Sequence, residues 1–166
     1  MSEREDIVFS RNTVEFVTVA AEYCAYVERC NEHTAKEFIG TLLKLLPLLY
    51  LKAQMLPEGE RVGDDELEDF VTEDSYEVLR MNIYELLADK DSYLDVFVSE
   101  MKYSDTPVTK SISEDLADIY QDVKNFVCLF QHFNIKIHVV SQYFLFQAFK
   151  VMSVANHIFT SIRWSH

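Results

Sequence analysis

Ile112, Leu116, Ile119, Val123, Phe126 and Phe130 recur at spacings of 4, 3, 4, 3 and 4 residues. No other feature of the sequence constrains the fold more. A sustained 3-4 repeat returns one side of an α-helix to the same neighbour, whereas a half-buried strand alternates by two. Such a seam belongs to a helix packed lengthwise on another helix. Ser111-x-x-Glu114 precedes the repeat as a capping-box pattern, so the spacing predicts a helix over about 112–132.

The same period runs through most of the chain. A helix is predicted over 12–30, with Asn12 as cap and two apolar stripes: Val14, Val17, Ala21, Cys24 and Phe16, Ala20, Tyr23, Val27. A second starts at the capping box Thr34/Glu37 and carries Phe38, Leu42, Leu46, Leu49 and Ala53. Pro47 removes one amide donor inside it, which predicts a kink, and Pro57 with Gly59 should end it. A third covers about 73–88 with Thr72 as cap, where Val71 can staple onto Tyr76. A fifth, long and buried, covers about 135–163.

Between these lie an acidic loop at 57–71 and an irregular connection at 89–111. In the connection, residues 93–98 fit a short helix or an extended segment equally well, and Pro107 forces extended backbone at Thr106. With three Gly and three Pro in 166 residues, a turn-rich β fold lacks its raw material. The reading is an all-α, antiparallel bundle of about five helices, with residues 1–166 forming one domain.

Charge is segregated. The net charge is −13, and residues 57–77 hold ten acids against one base. Residues 123–166 hold no acid, four Lys or Arg, and four of the five histidines. An acidic chain argues against direct nucleic-acid binding. The uncharged run at 137–149 is too short for a membrane span, which takes roughly 18 residues or more. The N-terminus lacks a basic segment followed by an apolar run, so no signal peptide is expected. Three cysteines without a Cys-x-x-Cys pair read as reduced core thiols of a cytoplasmic protein.

The most suggestive chemistry sits on the fourth helix, at Glu114, Asp115, Asp118 and Asp122. Helical nucleotide pyrophosphohydrolases hold Mg²⁺ on paired carboxylates. Here Asp115-x-x-Asp118 is the one near match on this helix. At 100° per residue, Asp115 and Asp122 flank the apolar seam, while Glu114 and Asp118 lie opposite it with Gln121 and Asn125. The ordinary reading is helix N-terminal charge and a solvated face. Ferritin-like Glu-x-x-His pairs are absent, and His132, His138 and His157 lack the spacing of a metal pair. His157 reads as a hydrogen-bonded core or boundary histidine. No P-loop or Gly-x-Ser-x-Gly occurs, and Cys128 with His132 has no third orienting group.

Two segments carry a resemblance. Leu45-Leu46-Pro47-Leu48-Leu49-Tyr50-Leu51-Lys52-Ala53 and Asp115-Leu116-Ala117-Asp118-Ile119-Tyr120-Gln121-Asp122 resemble the hallmarks of an uncharacterised bacterial, Bacteroidetes-type family of domains of unknown function. The resemblance implies an all-helical cytoplasmic protein with no established activity. It marks Asp115, Asp118, Tyr120 and Asp122 as family-defining positions. The chain reads Phe149-Lys150-Val151 where that family carries Tyr-Trp-Gly.

The candidate binding residues are thus Asp115, Asp118, Tyr120, Asp122 and His157, with no cofactor and no metal called for. The functional expectation is a non-catalytic interaction or accessory module whose partner is a protein or a second copy. The alternative is a metal-assisted nucleotide or phosphoester hydrolase using the helix 4 carboxylates.

Overall fold

The computed structural model describes residues 10–56, 69–95 and 108–133. These form α1 (Arg11–Glu28), α2 (Ala35–Gln54), α3 (Glu73–Leu87) and α4 (Ile112–Phe133), with single 3₁₀ turns at Cys30–Glu32 and Ala88–Lys90. Between α3 and α4 lies a two-stranded antiparallel ribbon, β1 (Ser92–Asp95) and β2 (Val108–Ser111). Its register pairs Ser92 with Ser111 and Asp95 with Val108. The chain is predominantly helical, as expected. The all-α bundle reading holds in outline, with this small ribbon added to it. Residues 93–95 are extended, because their partner strand, 13 or more residues away, supplies backbone hydrogen bonds that local periodicity does not reveal. Pro107, the loop at 57–68 and the helix expected over 135–163 lie outside the described residues.

The caps show why the helices start where they do. Thr34 Oγ1 accepts from Glu37 N at 3.3 Å and Glu37 Oε2 accepts from Thr34 N at 3.1 Å, so the capping box at α2 is complete. Thr72 Oγ1 accepts from Ser75 N at the start of α3. At α1 the cap is Ser10, whose Oγ accepts from Thr13 N, and not Asn12. Asn12 instead donates its amide to the carbonyl of Met55, at the far end of α2. α2 runs through Pro47 and ends at Gln54, before Pro57.

Packing follows the apolar periods. α1 lies against both α2 and α4, and α3 lies against α4. Asn12 meets Met55 while Tyr26 meets Glu37, so α1 and α2 run antiparallel. Val71 reaches Asn125 while Ile112 reaches Asp91, so α3 and α4 do likewise. Of the two stripes on α1, Phe16, Ala20, Tyr23 and Val27 are all fully buried. Val14 of the other stripe is exposed, and its neighbour Cys24 is buried. The α4 seam is buried from Ile112 to Phe126, and Phe130 is half-buried at its end. Phe16 and Phe126 tilt against each other with ring centroids 5.2 Å apart. Burying each such side chain contributes about 1.5–3 kcal/mol. The bundle therefore rests on apolar contact between α1, α2 and α4, with α3 closing the other side of α4.

Candidate functional site

Of the polar groups of α4, Glu114 is exposed to solvent while Asp115 is buried and Asp118, Gln121, Asp122 and Asn125 are half-buried. The N-terminus of α4 is held by Asp91, which lies just before β1 and is only 2% exposed. Asp91 Oδ1 accepts from Ser113 N at 2.7 Å, and Asp91 Oδ2 accepts from Ser111 Oγ at 2.6 Å and Ser113 Oγ at 3.1 Å. Its backbone carbonyl accepts from Ile112 N at 2.8 Å. A carboxylate here satisfies orphan amides and also sits at the positive end of the helix dipole. Ser111 Oγ accepts from Glu114 N at 3.4 Å, so the expected Ser111 cap is present but long. Asp91 provides the shorter cap.

One turn further, the two acids of the Asp115-x-x-Asp118 pair receive hydroxyls from different elements. Tyr93 on β1 donates to Asp115 Oδ2, and Asp115 is buried. Tyr76 on α3 donates to Asp118 Oδ1 at 2.6 Å. Hydrogen bonds to a carboxylate are among the stronger ones in proteins, and these tie both the ribbon and α3 to α4. Burial, then the Asp118 carboxylate beside it, raises the Tyr76 hydroxyl above the usual tyrosine range.

Tyr120 lies on the flank facing α1. Its hydroxyl donates to Glu28 Oε1 at 2.8 Å, and Lys124 Nζ donates to the same oxygen at 2.8 Å. Burial pushes the Glu28 carboxyl upward, but the hydrogen bonds from Lys124 and Tyr120 outweigh it and leave the group below its ordinary value. Asp122 is half-buried one turn beyond Asp118. Asn125 closes the α3 side. Its Oδ1 accepts from Phe70 N at 2.9 Å and Val71 N at 3.0 Å, while its Nδ2 donates to Asp69. His157 lies outside the described residues.

The helix 4 positions therefore divide. Asp115 and Asp118 face β1 and α3, Tyr120 faces α1, and each is hydrogen-bonded into packing. The reading of Asp118 and Asn125 as a solvated face is corrected. α3 and residues 69–71 occupy that side and meet it with polar groups instead of apolar ones. Sequence reasoning missed Asp91, Tyr93, Tyr76 and Asn125 as partners. No local signal marks them, because each acts on a residue 20 or more positions away.

The chemistry open to this arrangement is narrow. Among the described residues, no group of three or more His, Cys, Asp or Glu side chains is placed to hold a metal ion. Burial pushes the Cys24 thiol up to about 12, and it raises Cys30 as well, so neither is a thiolate at neutral pH. Tyr76 and Tyr120 are likewise held in the neutral form. Among the described residues, these buried polar groups link elements of the bundle. No described helix is long and apolar enough to cross a membrane.

What fold and site define is a small helical bundle with a two-stranded ribbon, in which Asp115 and Asp118 are partnered by tyrosine hydroxyls and Asp91 by serines. The chain belongs to the DUF5063 family, a domain of unknown function, which it matches over residues 7–143. It is similar to protein BF1032 from Bacteroides fragilis, a structural-genomics target with a crystal structure. The two are 42% identical, with a TM-score of 0.80 over 96% of this chain and 97% of that one. No curated protein matches. The expected Bacteroidetes-type family of unknown function is therefore the one found.

Proposed function

We propose that this protein is a non-catalytic interaction module, an accessory bundle that binds another protein or itself. One observation carries the reading: large apolar side chains stand exposed at helical spacing on two helices, Leu48 and Leu51 on α2 with Met55 at its C-cap, and Val78, Met81 and Tyr84 on α3. Clustered exposed apolar surface of this kind marks partner sites more often than catalytic ones. The helix 4 acids favour the same reading. An oxygen of Asp115 and one of Asp118 already accept tyrosine hydroxyls, which weighs against metal-assisted hydrolysis at those residues.

The proposal takes residues 1–166 as one cytoplasmic domain of five helices, with α2 bent at Pro47 and 135–163 as the last helix. Asp115, Asp118 and Tyr120 are positioning residues of the bundle, Asp122 and His157 complete the candidate set, and no cofactor is required. Nucleic acid is disfavoured as a partner by the charge of −13.

The test is affinity capture from native lysate with the wild-type chain, Leu51→Glu and Met81→Glu, alongside sedimentation of each. A stoichiometric partner or a self-associated state, lost in one variant, is the expected result. A wild-type chain that sediments as a monomer and retains no stoichiometric protein overturns the reading.

A further inference from the structure

We infer that the outer face of α3 is a docking surface for a basic amphipathic helix of a partner protein. The inference rests on the interaction reading above and names the chemistry of the partner. Val78, Met81 and Tyr84 are 62%, 41% and 46% exposed, at spacings of three residues, and so form one stripe. At about 100° per residue, exposed Asp74, Glu77 and Glu85 fall on the same side of the helix, among and around that stripe. Leu79, Ile83 and Leu87, on the opposite side, are buried against the bundle. From Asp74 to Glu85 the face runs about 16 Å, which a partner helix of about three turns would cover.

Charge selects the occupant. α3 carries Glu73, Asp74, Glu77 and Glu85 against Arg80 alone, and Arg80 is already held by Glu77 Oε2 at 2.8 Å. Asp74 and Glu85 have no ion-pair partner among the described residues. Glu73 and Glu77 are like charges four residues apart, an arrangement that destabilises a helix. Glu85 lies in the last turn, where the helix dipole disfavours a carboxylate and no basic residue of α3 offsets it. Cations set beside these acids relieve both, so the face is complementary to Lys or Arg flanking an apolar stripe. Such side chains lay their stems on Val78, Met81 and Tyr84 and carry their charge to the acidic rim. Among the described helices α3 alone exposes an apolar stripe flanked by carboxylates. α2, with Lys36, Lys44 and Lys52 against Glu37, repels a basic helix. A second copy fits α3 poorly. A two-fold contact would set carboxylates against carboxylates, and the whole-chain charge of −13 opposes a second copy while it steers a basic partner inward.

Fluorescence anisotropy of the full chain with three labelled peptides tests this. The first is a Lys/Leu helix with its leucines on one face, the second has Glu in place of Lys, and the third scrambles the first. The expected result is saturable binding of the first at one site per chain, weakening as salt rises, with the other two weaker by about tenfold or more. Asp74→Lys with Glu85→Lys, and separately Met81→Asn, should each weaken the first peptide about tenfold at unchanged helical circular dichroism, and Leu51→Glu should not. Should the charge reversal fold poorly, Asp74→Asn with Glu85→Gln removes the same charges at almost unchanged size and supplies the second arm. No saturable binding of the first peptide, equal binding of the scrambled one, or a loss on Leu51→Glu and not on the α3 variants overturns the inference. Self-association of the wild type that Met81→Asn breaks, seen by sedimentation, puts a second copy on this face and overturns it too. A chain that ignores the peptide yet retains a stoichiometric protein through Leu51 overturns this inference and leaves the interaction reading standing.

Discussion

The hydroxyl of Tyr23 on α1 donates to the carbonyl of Leu116 on α4 at 2.9 Å, a buried link across 93 residues of chain. Leu116 stands in the middle of the α4 seam, and both residues are fully buried. A helix carbonyl has a second lone pair, and an apolar core could not satisfy the phenol otherwise. Tyr23→Phe removes the donor and keeps the ring. Its expected cost is about 1 kcal/mol, read from the urea midpoint at unchanged slope. Tyr23→Ala empties the site and should cost roughly 3–5 kcal/mol.

Asp91 caps α4 from outside the helix. Asp91→Asn keeps the size but loses the negative charge at the helix N-terminus and one acceptor oxygen. Its expected cost is about 1–2 kcal/mol, seen as a lower thermal midpoint. Amide exchange at Ser113 should accelerate more than at Leu79 in α3. Equal acceleration at both would show global destabilisation instead of a lost cap.

Tyr76 and Asp118 should be coupled. In a double-mutant cycle of Tyr76→Phe and Asp118→Ala, the expected interaction energy is on the order of 1–2 kcal/mol. Mg²⁺ or Mn²⁺ should leave the thermal midpoint of the wild type and of Asp118→Ala unchanged. A metal-dependent rise in the wild type that Asp118→Ala abolishes would restore the hydrolase alternative.

Ala88 ends α3 with φ 51° and ψ −119°, backbone that a Cβ disfavours. Its side chain is exposed. Ala88→Gly should relieve strain at no packing cost and stabilise the chain by about 1 kcal/mol, measurable by urea unfolding.

The alkaline limb of stability has a definite sign. Burial raises Tyr23, Tyr76 and Tyr120 above the ordinary 10.0, and Cys24 from 9.0 to about 12. As pH rises past 9 these groups lose protons in the unfolded chain while the folded one keeps them. The unfolded state then binds fewer protons, and stability falls. Urea unfolding from pH 8 to pH 11 should show a midpoint that declines above about pH 9. Cys24→Ala should make the decline shallower between about pH 9 and 10, with buried Cys30 still contributing to it.

Much of the bundle is legible in the residues. The 4-3-4-3-4 seam of α4 is buried as its spacing requires, and the Thr34/Glu37 box and Thr72 cap their helices. Ser10 and Asn12 are equally good capping types, and which one caps α1 depends on Met55, 43 residues further on. The candidate site is less legible. Asp115, Asp118 and Tyr120 stand out as polar positions on α4, but their partners Tyr93, Tyr76 and Glu28 come from three other elements. Asn125 is marked by nothing in the sequence, yet it holds two consecutive amides of the chain entering α3.

The sequence by itself determined where the described helices lie and which side of α4 is apolar. Those depend on interactions within a turn or two, where backbone geometry sets which residues meet. The tertiary structure alone decided that β1 pairs with β2, that Asp91 caps α4, and that Asp115, Asp118 and Asn125 meet protein groups while Glu114 stays exposed. A carboxylate on a helix surface is equally content with water or a tyrosine hydroxyl. Only the approach of another element, driven by apolar burial elsewhere, selects between them.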